Sequence, residues 1–531
     1  MNLLAKVITT AIFTICWLKA GLAYDSVLWT FSVCVWILFI KQLVFSKKVI
    51  IPGKIILALV FPYLVIFIAS VFNNSHKKLS ENDWNQLKVE DYLSKESNII
   101  RGKKIVGELQ NIRELSSNNS ELAISLFYNL KSSHFVQNGL DAAYELLAKY
   151  ENLLEQNHNN YIPCSVLGFK HYKAHHFKFF TIFAIAFVIY NSVQSRRNIE
   201  LLLKLITLNV SLLAIVGIIQ NINYTPSDTK PEILGIWNAP EPRYYYSTFT
   251  YKNHWASLAL MAFILSLGLL MRTYLKNPTN FIRNKQVPLL FLITIPIVLS
   301  IPHSGSRSGF ILMTFFLALL IMTSLYLYRK RFKISFPIIS FAAAFGFLTI
   351  FGFSINQNTT SEMTANTFSQ IEEIADGEYP MRILLWKDLL HQIQLKTFWG
   401  FGNHSYPIIN PKYQSEEVRN KREVVLENAH NPFIPLVAFA HNDWLQLISE
   451  EGFAGFCLIG LPSLLVVISQ LLFSKQFLTK ICMLSCLSFL VYCFFDFPTQ
   501  TPACTLIFGL ILGLGLKNSQ LNDAKPKFNE N

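Results

Sequence analysis

Charged side chains are scarce in this chain of 531 residues, where Asp, Glu, Lys and Arg together make up only 15%. Hydrophobic residues make up 52%, and apolar runs of about 20 residues recur, each long enough to cross a bilayer as a helix. Continuous apolar runs exclude a transmembrane β-barrel, whose strands are short and alternate between apolar and polar positions. The composition therefore predicts an all-α polytopic membrane protein.

Several chemical motifs are also absent from the sequence. It has no Walker loop, no dinucleotide-binding fingerprint and no HExxH sequence, so nothing in it indicates ATP-driven transport. Its 8 cysteines show neither metal-type spacing nor a disulfide framework, and we expect no metal and no cofactor. The net charge of +13 lies largely in short loops beside apolar runs, which is typical of a membrane protein and does not indicate nucleic acid as a partner.

The apolar runs predict about twelve transmembrane helices. They lie near residues 5–24, 27–45, 50–72, 177–194, 199–221, 253–271, 287–302, 309–328, 336–355, 453–473, 477–496 and 502–516. Lysine and arginine concentrate in alternate short loops, which places those loops and both chain termini in the cytoplasm. The longer polar segments between the runs then face outward.

These boundaries predict four parts. Residues 1–72 hold the N-terminal transmembrane helices, and 517–531 form a cytoplasmic polar tail. Residues 73–176 form an extracytoplasmic helical insertion, because apolar residues between 140 and 154 repeat at helical spacing. Residues 177–516 form the main membrane domain, whose large extracytoplasmic loop spans 356–440.

Two arginines are candidates for binding an anion at the outer face. Arg307 lies among small residues at a predicted membrane boundary, where an arginine is costly unless it snorkels or has a partner. It is either a snorkelling side chain or an anion ligand, helped by nearby hydroxyls and backbone N–H groups. Arg382 belongs either to the solvated face of a loop helix or to the same anion site. A pyrophosphate has several oxygens, which two guanidinium forks suit better than one.

His441 is the candidate base. A histidine at a helix start is either a satisfied interfacial residue or a proton acceptor near neutral pH. If the stretch 440–452 is a straight helix, Glu450 points away from His441 and no histidine–carboxylate dyad forms within it. Glu450 and Gly452 are therefore interpreted as structural. The secondary candidates are Arg243, Asn253, His254 and His430.

These residues resemble the signatures of the O-antigen ligase and polymerase superfamily of bacterial membrane glycosyltransferases. Residues 249–256 resemble its N-H-x-A helix start, and residues 305–309 resemble its S-R-G/S-G turn. The arginine and tryptophan of residues 382–386, followed by 400–402, resemble its R-x-x-x-W and G-x-G loop. Residues 440–452 are similar to its A-H-N-D-x-L-Q-x-x-x-E-x-G segment. The resemblance covers roughly residues 177–516 and does not extend to 73–176.

The resemblance implies a GT-C-like fold with outward-facing loops in the bacterial inner membrane, and an active site on the extracytoplasmic side. It implies a glycan donor on an undecaprenyl-diphosphate-type lipid, and a glycan, lipid A-core or protein acceptor. By position, Arg307 and Arg382 would bind the pyrophosphate, and His441 would activate the acceptor hydroxyl. Family members need neither a nucleotide sugar nor a metal. A polysaccharide polymerase, a protein O-oligosaccharyltransferase and, in another class, a solute transporter stay open as alternatives.

Overall fold

The fold was obtained as a computed structural model. It describes residues 3–45, 107, 111–112, 169–223, 231–239, 244–276, 281, 283–329, 379–402, 405–422 and 437–521. The predicted spans 50–72 and 336–355, nearly all of the predicted insertion 73–176 and most of the predicted tail lie outside these residues. The described part is mostly helical, and its strands are the short antiparallel pair β1 Glu232–Ile233 and β2 Trp237–Asn238.

The described helices follow in chain order. They are α1 Leu3–Trp17, α2 Asp25–Phe45, α3 Phe169–Ser192, α4 Arg196–Ile222, α5 Lys252–Lys276, α6 Gln286–His303, α7 Arg307–Arg329, α8 Met381–Leu395, α9 Tyr406–Tyr413, α10 Glu416–Arg422, α11 Asp443–Gly455, α12 Leu461–Phe473, α13 Phe477–Tyr492 and α14 Pro502–Gln520. A π-helical turn, Phe456–Gly460, joins α11 to α12, and short 3₁₀ turns lie at Lys19–Gly21 and Pro498–Gln500.

Six candidate membrane spans lie among the described residues, judged by length and apolar composition. They are Asp25–Val44, Arg196–Ile222, Lys252–Lys276, Gln286–His303, Asp443–Phe473 and Pro502–Gln520. Helices overlap every predicted span that falls in the described ranges, whereas the total of about twelve stays a prediction.

The first helix is shorter than predicted, ending at Trp17 rather than near residue 24. Lys19 and Ala20 take the left-handed backbone conformation, with φ values of 53° and 55°, which a right-handed helix cannot continue. Gly21 follows with a φ of 88°, where an added Cβ would lie 2.7 Å from Cβ of Pro502. The left-handed turn therefore ends α1 early, and it lies directly against the start of α14.

The chain divides into two compact units. The first comprises Met1–Val60, Lys178–Glu372 and Leu461–Asn531, and the second comprises Phe61–Phe177 and Glu373–Gly460. The four predicted parts follow other boundaries and stay a prediction.

Helix α5 lies at the centre of the first unit and contacts α4, α6, α7, α13 and α14. Every residue from Asn253 to Leu270 is buried, as expected for a helix that is apolar on all sides. Its glycine and alanine permit close packing, because Gly268 lies against Ile481 of α13 and Ala256 lies against Gly309 of α7. The start of α5, which carries Asn253 and His254, is thereby held inside the unit.

The second unit packs α8, α9, α10 and α11 around a small apolar core. This core consists of Leu384, Leu385, Leu389, Tyr406, Val418, Val437 and Ala440. Ala440 is fully buried in it, so the residue immediately before His441 is part of the core and not of a free loop.

Candidate functional site

His441 is held through the residue that precedes it. The indole Nε1 of Trp386 donates a hydrogen bond of 3.2 Å to the carbonyl of Ala440. The backbone N–H of Ala440 donates one of 3.0 Å to Oε1 of Gln446. Both polar groups of Ala440 are therefore satisfied by side chains, which is the usual requirement for buried backbone. The position of the His441 backbone follows from these two bonds.

His441 itself does not lie on helix α11. Its φ is 53°, and the helix begins at Asp443 after the N-cap Asn442, whose Oδ1 accepts the backbone N–H of Leu445 at 3.0 Å. The condition of one straight helix over 440–452 is therefore not met at this end, and His441 precedes the helix start. A left-handed conformation outside glycine costs of order 1–3 kcal/mol and persists where neighbours enforce it, often at functional sites. The half-buried His441 has this property.

Glu450 connects α11 with α9. Its Oε1 accepts hydrogen bonds from Nε2 of Gln446 at 3.0 Å and from the backbone N–H of Tyr406 at 3.3 Å. Gln446 in turn holds the N–H of Ala440. The buried Glu450 thus supports the residue before His441 through one intervening amide.

Two glycines let a loop lie directly against α11. Gly400 and Gly452 have φ values of 69° and 67°, a region that glycine adopts without steric cost. An added Cβ would lie 2.5 Å from the carbonyl oxygen of Glu450 at Gly400, and 2.1 Å from that of Phe398 at Gly452. Gly452 also interrupts the helical backbone of α11.

The loop and α11 are joined by backbone hydrogen bonds on both sides of the break. The N–H groups of Phe401 and Gly402 donate to the carbonyls of Ser449 and Glu450, at 2.9 and 2.7 Å. In the opposite direction, Phe453 and Ala454 donate to the carbonyls of residues 397 and 398, at 2.9 and 3.0 Å. The helix that follows His441 is therefore clamped by residues 397–402.

Arg382 lies in the first turn of α8 and is half-buried. Trp386 is four residues later, so the two side chains leave the same face of the helix. Because Trp386 bonds to Ala440, α8 links Arg382 to the loop that carries His441. The four-residue spacing of arginine and tryptophan thus puts both side chains on one face of α8, and the tryptophan binds the loop that carries His441.

The ionisable side chains of Tyr406 and Asp388 are buried within the second unit. Burial raises the pKa of the Tyr406 hydroxyl well above its usual value, and the Asp388 and Glu450 carboxylates raise it further, while Arg422 opposes them. Burial also raises the pKa of Asp388, whose carboxylate accepts the N–H of Ser415 at 3.1 Å. Tyr406 therefore stays protonated at neutral pH and does not supply a base.

In the first unit, Arg307 begins α7 and is half-buried. The hydroxyl groups of the neighbouring Ser304 and Ser306 form hydrogen bonds within the protein. Oγ of Ser306 bonds with the Tyr492 hydroxyl at 2.9 Å and accepts the N–H of Gly309 at 3.3 Å, while Oγ of Ser304 donates to the carbonyl of residue 301 at 2.7 Å. Ser306 and Ser304 thus bond to the fold itself, and the expectation that nearby hydroxyls join Arg307 in binding an anion stays a prediction.

Asn253 belongs to a buried polar centre at the start of α5. Its Nδ2 donates to the hydroxyl of Tyr251 at 3.0 Å and to Oδ2 of Asp496. The other carboxylate oxygen of Asp496 accepts the N–H of Phe497 at 3.0 Å. Asp496 is fully buried, so these bonds compensate for the loss of water around a carboxylate.

His254, the next residue, is enclosed by the same segment. Its Nδ1 lies 2.6 Å from Oγ1 of Thr501. Its ring packs edge-on against Tyr251 and Phe497, with centroid distances of 5.0 and 4.6 Å. Residues far apart in sequence thus hold a histidine that is almost inaccessible to solvent.

Sequence reasoning named the candidates but missed the residues that position them. The preference of helix N-caps for asparagine is a signal for Asn442. Trp386 and Gln446 belong to the motifs quoted above, which do not reveal their bonds to Ala440, and no local pattern identifies Thr501. Arg243 and His430 lie outside the described residues. In the described ranges, no three His, Cys, Asp or Glu side chains are arranged to bind a metal ion, and metal independence stays a prediction.

The candidates fall into both units. Arg307, Asn253 and His254 lie in the first, whereas Arg382 and His441 lie in the second, together with Glu450 and Gly452. In the second unit, α8 carries Arg382 in its first turn and bonds to Ala440, next to His441, through Trp386. Whether Arg307 joins them stays a prediction.

Part of the chain matches a known protein family. Residues 289–460 match the profile of the family described as O-antigen ligase. This range includes Arg307, Arg382 and His441, and it leaves out Arg243, Asn253 and His254. A search of curated proteins finds no match.

Proposed function

Because this chain belongs to the O-antigen ligase superfamily, we propose that it transfers a glycan from an undecaprenyl-diphosphate-type lipid to an acceptor hydroxyl. The family consists of membrane enzymes of the ligase and polymerase type that act in lipopolysaccharide biosynthesis. The observation that carries the proposal is the family match over 289–460, because this range contains both anion-binding candidates and the candidate base.

The proposal includes the setting of the reaction. We place the protein in the bacterial inner membrane with a GT-C-like arrangement of about twelve spans, both termini in the cytoplasm and the active site on the outer side. The donor enters from the bilayer, and the acceptor is a glycan, lipid A-core or a protein. The apolar helices and the alternating basic loops support this arrangement.

Arg307 and Arg382 would bind the pyrophosphate of the donor. A guanidinium presents parallel N–H donors that match phosphate oxygens and keeps its charge at all relevant pH values. Donors already in place where negative charge develops stabilise the departing group without further reorganisation. The pyrophosphate is a good leaving group, so the reaction needs no general acid.

His441 would act on the acceptor. Its neutral imidazole takes the proton of the acceptor hydroxyl as that oxygen forms a bond to the anomeric carbon. The bond from the anomeric carbon to the pyrophosphate oxygen breaks, and its electron pair leaves with the pyrophosphate. The hydrogen bonds of Trp386 and Gln446 to Ala440 support this role, because they limit the motion of the backbone that carries the ring.

Replacing Arg307 or Arg382 by lysine is expected to lower the transfer rate by about 10- to 100-fold. Lysine keeps the charge but loses the planar fork, so the pyrophosphate is bound with fewer and less directed hydrogen bonds. Transfer of a lipid-linked glycan in isolated membranes measures the rate. Arg283→Lys, at an exposed arginine before α6, serves as the matched control and should be unchanged. Full activity in both test variants would remove the arginines from the mechanism.

Glycan profiles of a deletion strain distinguish the members of this class. Loss of a ligase is expected to leave full-length chains on the carrier lipid, whereas loss of a polymerase leaves single repeat units there. Loss of a protein-glycosylating enzyme removes glycan from protein acceptors instead. The proposal fails if reconstituted protein takes up a solute and never transfers a glycan, because that result identifies a transporter.

A further inference from the structure

Three exposed aromatic side chains lie together in the second unit. They are Phe398, Trp399 and Phe453, whose exposed fractions are 61%, 36% and 45%, and we call them the apolar tip. The rings of Phe398 and Trp399 meet edge to face, with centroids 4.6 Å apart. Large exposed apolar side chains grouped in this way mark an interaction surface more often than isolated ones do.

The backbone holds the apolar tip together. The N–H groups of Phe453 and Ala454 donate to the carbonyls of Thr397 and Phe398 at 2.9 and 3.0 Å. These bonds keep the turn that carries Phe398 and Trp399 beside the α11 segment that carries Phe453. The exposed rings therefore sit on a fixed backbone and not on a free strand of chain.

One member of the tip belongs to a candidate membrane span. Phe453 lies within Asp443–Phe473, which is long and apolar enough to cross a bilayer, and only 17% of its most apolar stretch is buried within the protein. Most of that stretch is therefore at least partly exposed apolar surface. Phe453 and the π-helical turn that follows it belong to the same candidate span, so one member of the tip is continuous in sequence with this exposed apolar surface.

The composition around the tip is that of a membrane interface. Tryptophan is enriched at the level of the lipid headgroups, where its ring is buried and its N–H stays hydrated. Lys396, next to the turn, lies with its Nζ 5.0 Å from the centroid of the Phe401 ring. A lysine with an apolar stem and a cationic end suits the boundary between acyl chains and anionic headgroups.

We propose that the apolar tip inserts into the headgroup–acyl boundary of the bilayer and sets the depth of the second unit. The same turn donates backbone hydrogen bonds from Phe401 and Gly402 to Ser449 and Glu450 of α11. Insertion of the tip thus fixes the height of the helix that follows His441. The anchoring stands without the proposed function, whereas its consequence, a constant height of His441 above the lipid, rests on that function.

Photo-crosslinking of the full-length protein in phospholipid nanodiscs tests the proposal. Benzoylphenylalanine is placed at Phe398 or, as the matched control, at Tyr379, another exposed aromatic residue of the same unit. The two positions flank opposite ends of α8, whose 15 residues span about 22 Å. We expect several-fold more phospholipid adduct from position 398 than from position 379, with no glycan donor present.

The other outcomes overturn the proposal. Equal adduct yields at the two positions, or no lipid adduct at 398, would show that the tip is not embedded. A chain-to-chain adduct in place of lipid would assign the tip to a second copy of the protein. Labelling at 398 only after addition of a polyprenyl-diphosphate lipid would assign it to the donor tail. The His441→Ala variant should give the same lipid adduct, so that failure of the proposed function leaves this test unaffected.

Discussion

Replacing His441 by alanine is expected to lower the rate of glycan transfer by about 10²–10⁴-fold, the contribution of a positioned general base. The side chain is the only part of the residue that can take a proton, and the backbone around it is held by Trp386 and Gln446. Transfer in isolated membranes measures the rate, and immunoblotting of those membranes checks that the variant is retained at the normal level.

One further variant distinguishes a role of the His441 imidazole from a role of its backbone conformation, and a second serves as the control. Asparagine tolerates the left-handed conformation, so His441→Asn keeps the φ near 53° while removing the base, and it should be as inactive as His441→Ala. Activity restored by asparagine would mean that backbone shape and not proton transfer is required. His391→Ala, at an exposed histidine of α8 that packs on Tyr413, is the matched control and should transfer glycan normally.

Replacing Gly452 by alanine is expected to destabilise the protein by about 2–5 kcal/mol, the sum of left-handed backbone strain and overpacking. The φ is 67°, and the new Cβ would lie 2.1 Å from the carbonyl oxygen of Phe398. That oxygen is a backbone atom that accepts the N–H of Ala454, so it cannot move without breaking the clamp. Thermal unfolding in detergent, or protease sensitivity of membrane-embedded protein, measures the loss.

Gly235→Ala is the matched control for this variant. Gly235 has nearly the same φ, 68°, but no described atom lies within 4 Å of an added Cβ. It therefore reports the strain of the backbone alone. If Gly452→Ala is no more destabilising than Gly235→Ala, residues 397–402 do not pack against α11 as described.

The membrane helices follow from the local sequence. Their apolar side chains and internally satisfied backbones stabilise helices in lipid regardless of which neighbours they contact. This explains why helices overlap the predicted spans in the described ranges, as α5 does over 253–271. The end of α1 was misplaced: a left-handed turn ends the helix and packs against Pro502 at Gly21, a contact that no window of sequence contains.

The candidate site also combines features that the local sequence predicts with features that depend on contacts between distant segments. The signature from Ala440 to Gly452 identified His441 as the residue to examine, and helical spacing separated Glu450 from it. However, the carbonyl of Ala440, which precedes the left-handed His441, accepts a hydrogen bond from Trp386, 54 positions earlier in the chain. A helical period of 3.6 residues cannot encode a bond of that separation, so the sequence left open whether His441 is part of a straight helix.

By itself, the sequence indicated a helical membrane protein that resembles the O-antigen ligase superfamily, with its polar candidates grouped in a few short motifs. Burial of apolar surface and helix periodicity are local properties, and they suffice for that conclusion. The tertiary structure decided how His441 is presented. Hydrogen bonds between distant segments hold Ala440 and support Gln446 through Glu450. The close approach of residues 397–402 to α11 requires glycine at 400 and 452. These contacts could not be predicted because satisfying buried polar groups is a property of the folded core.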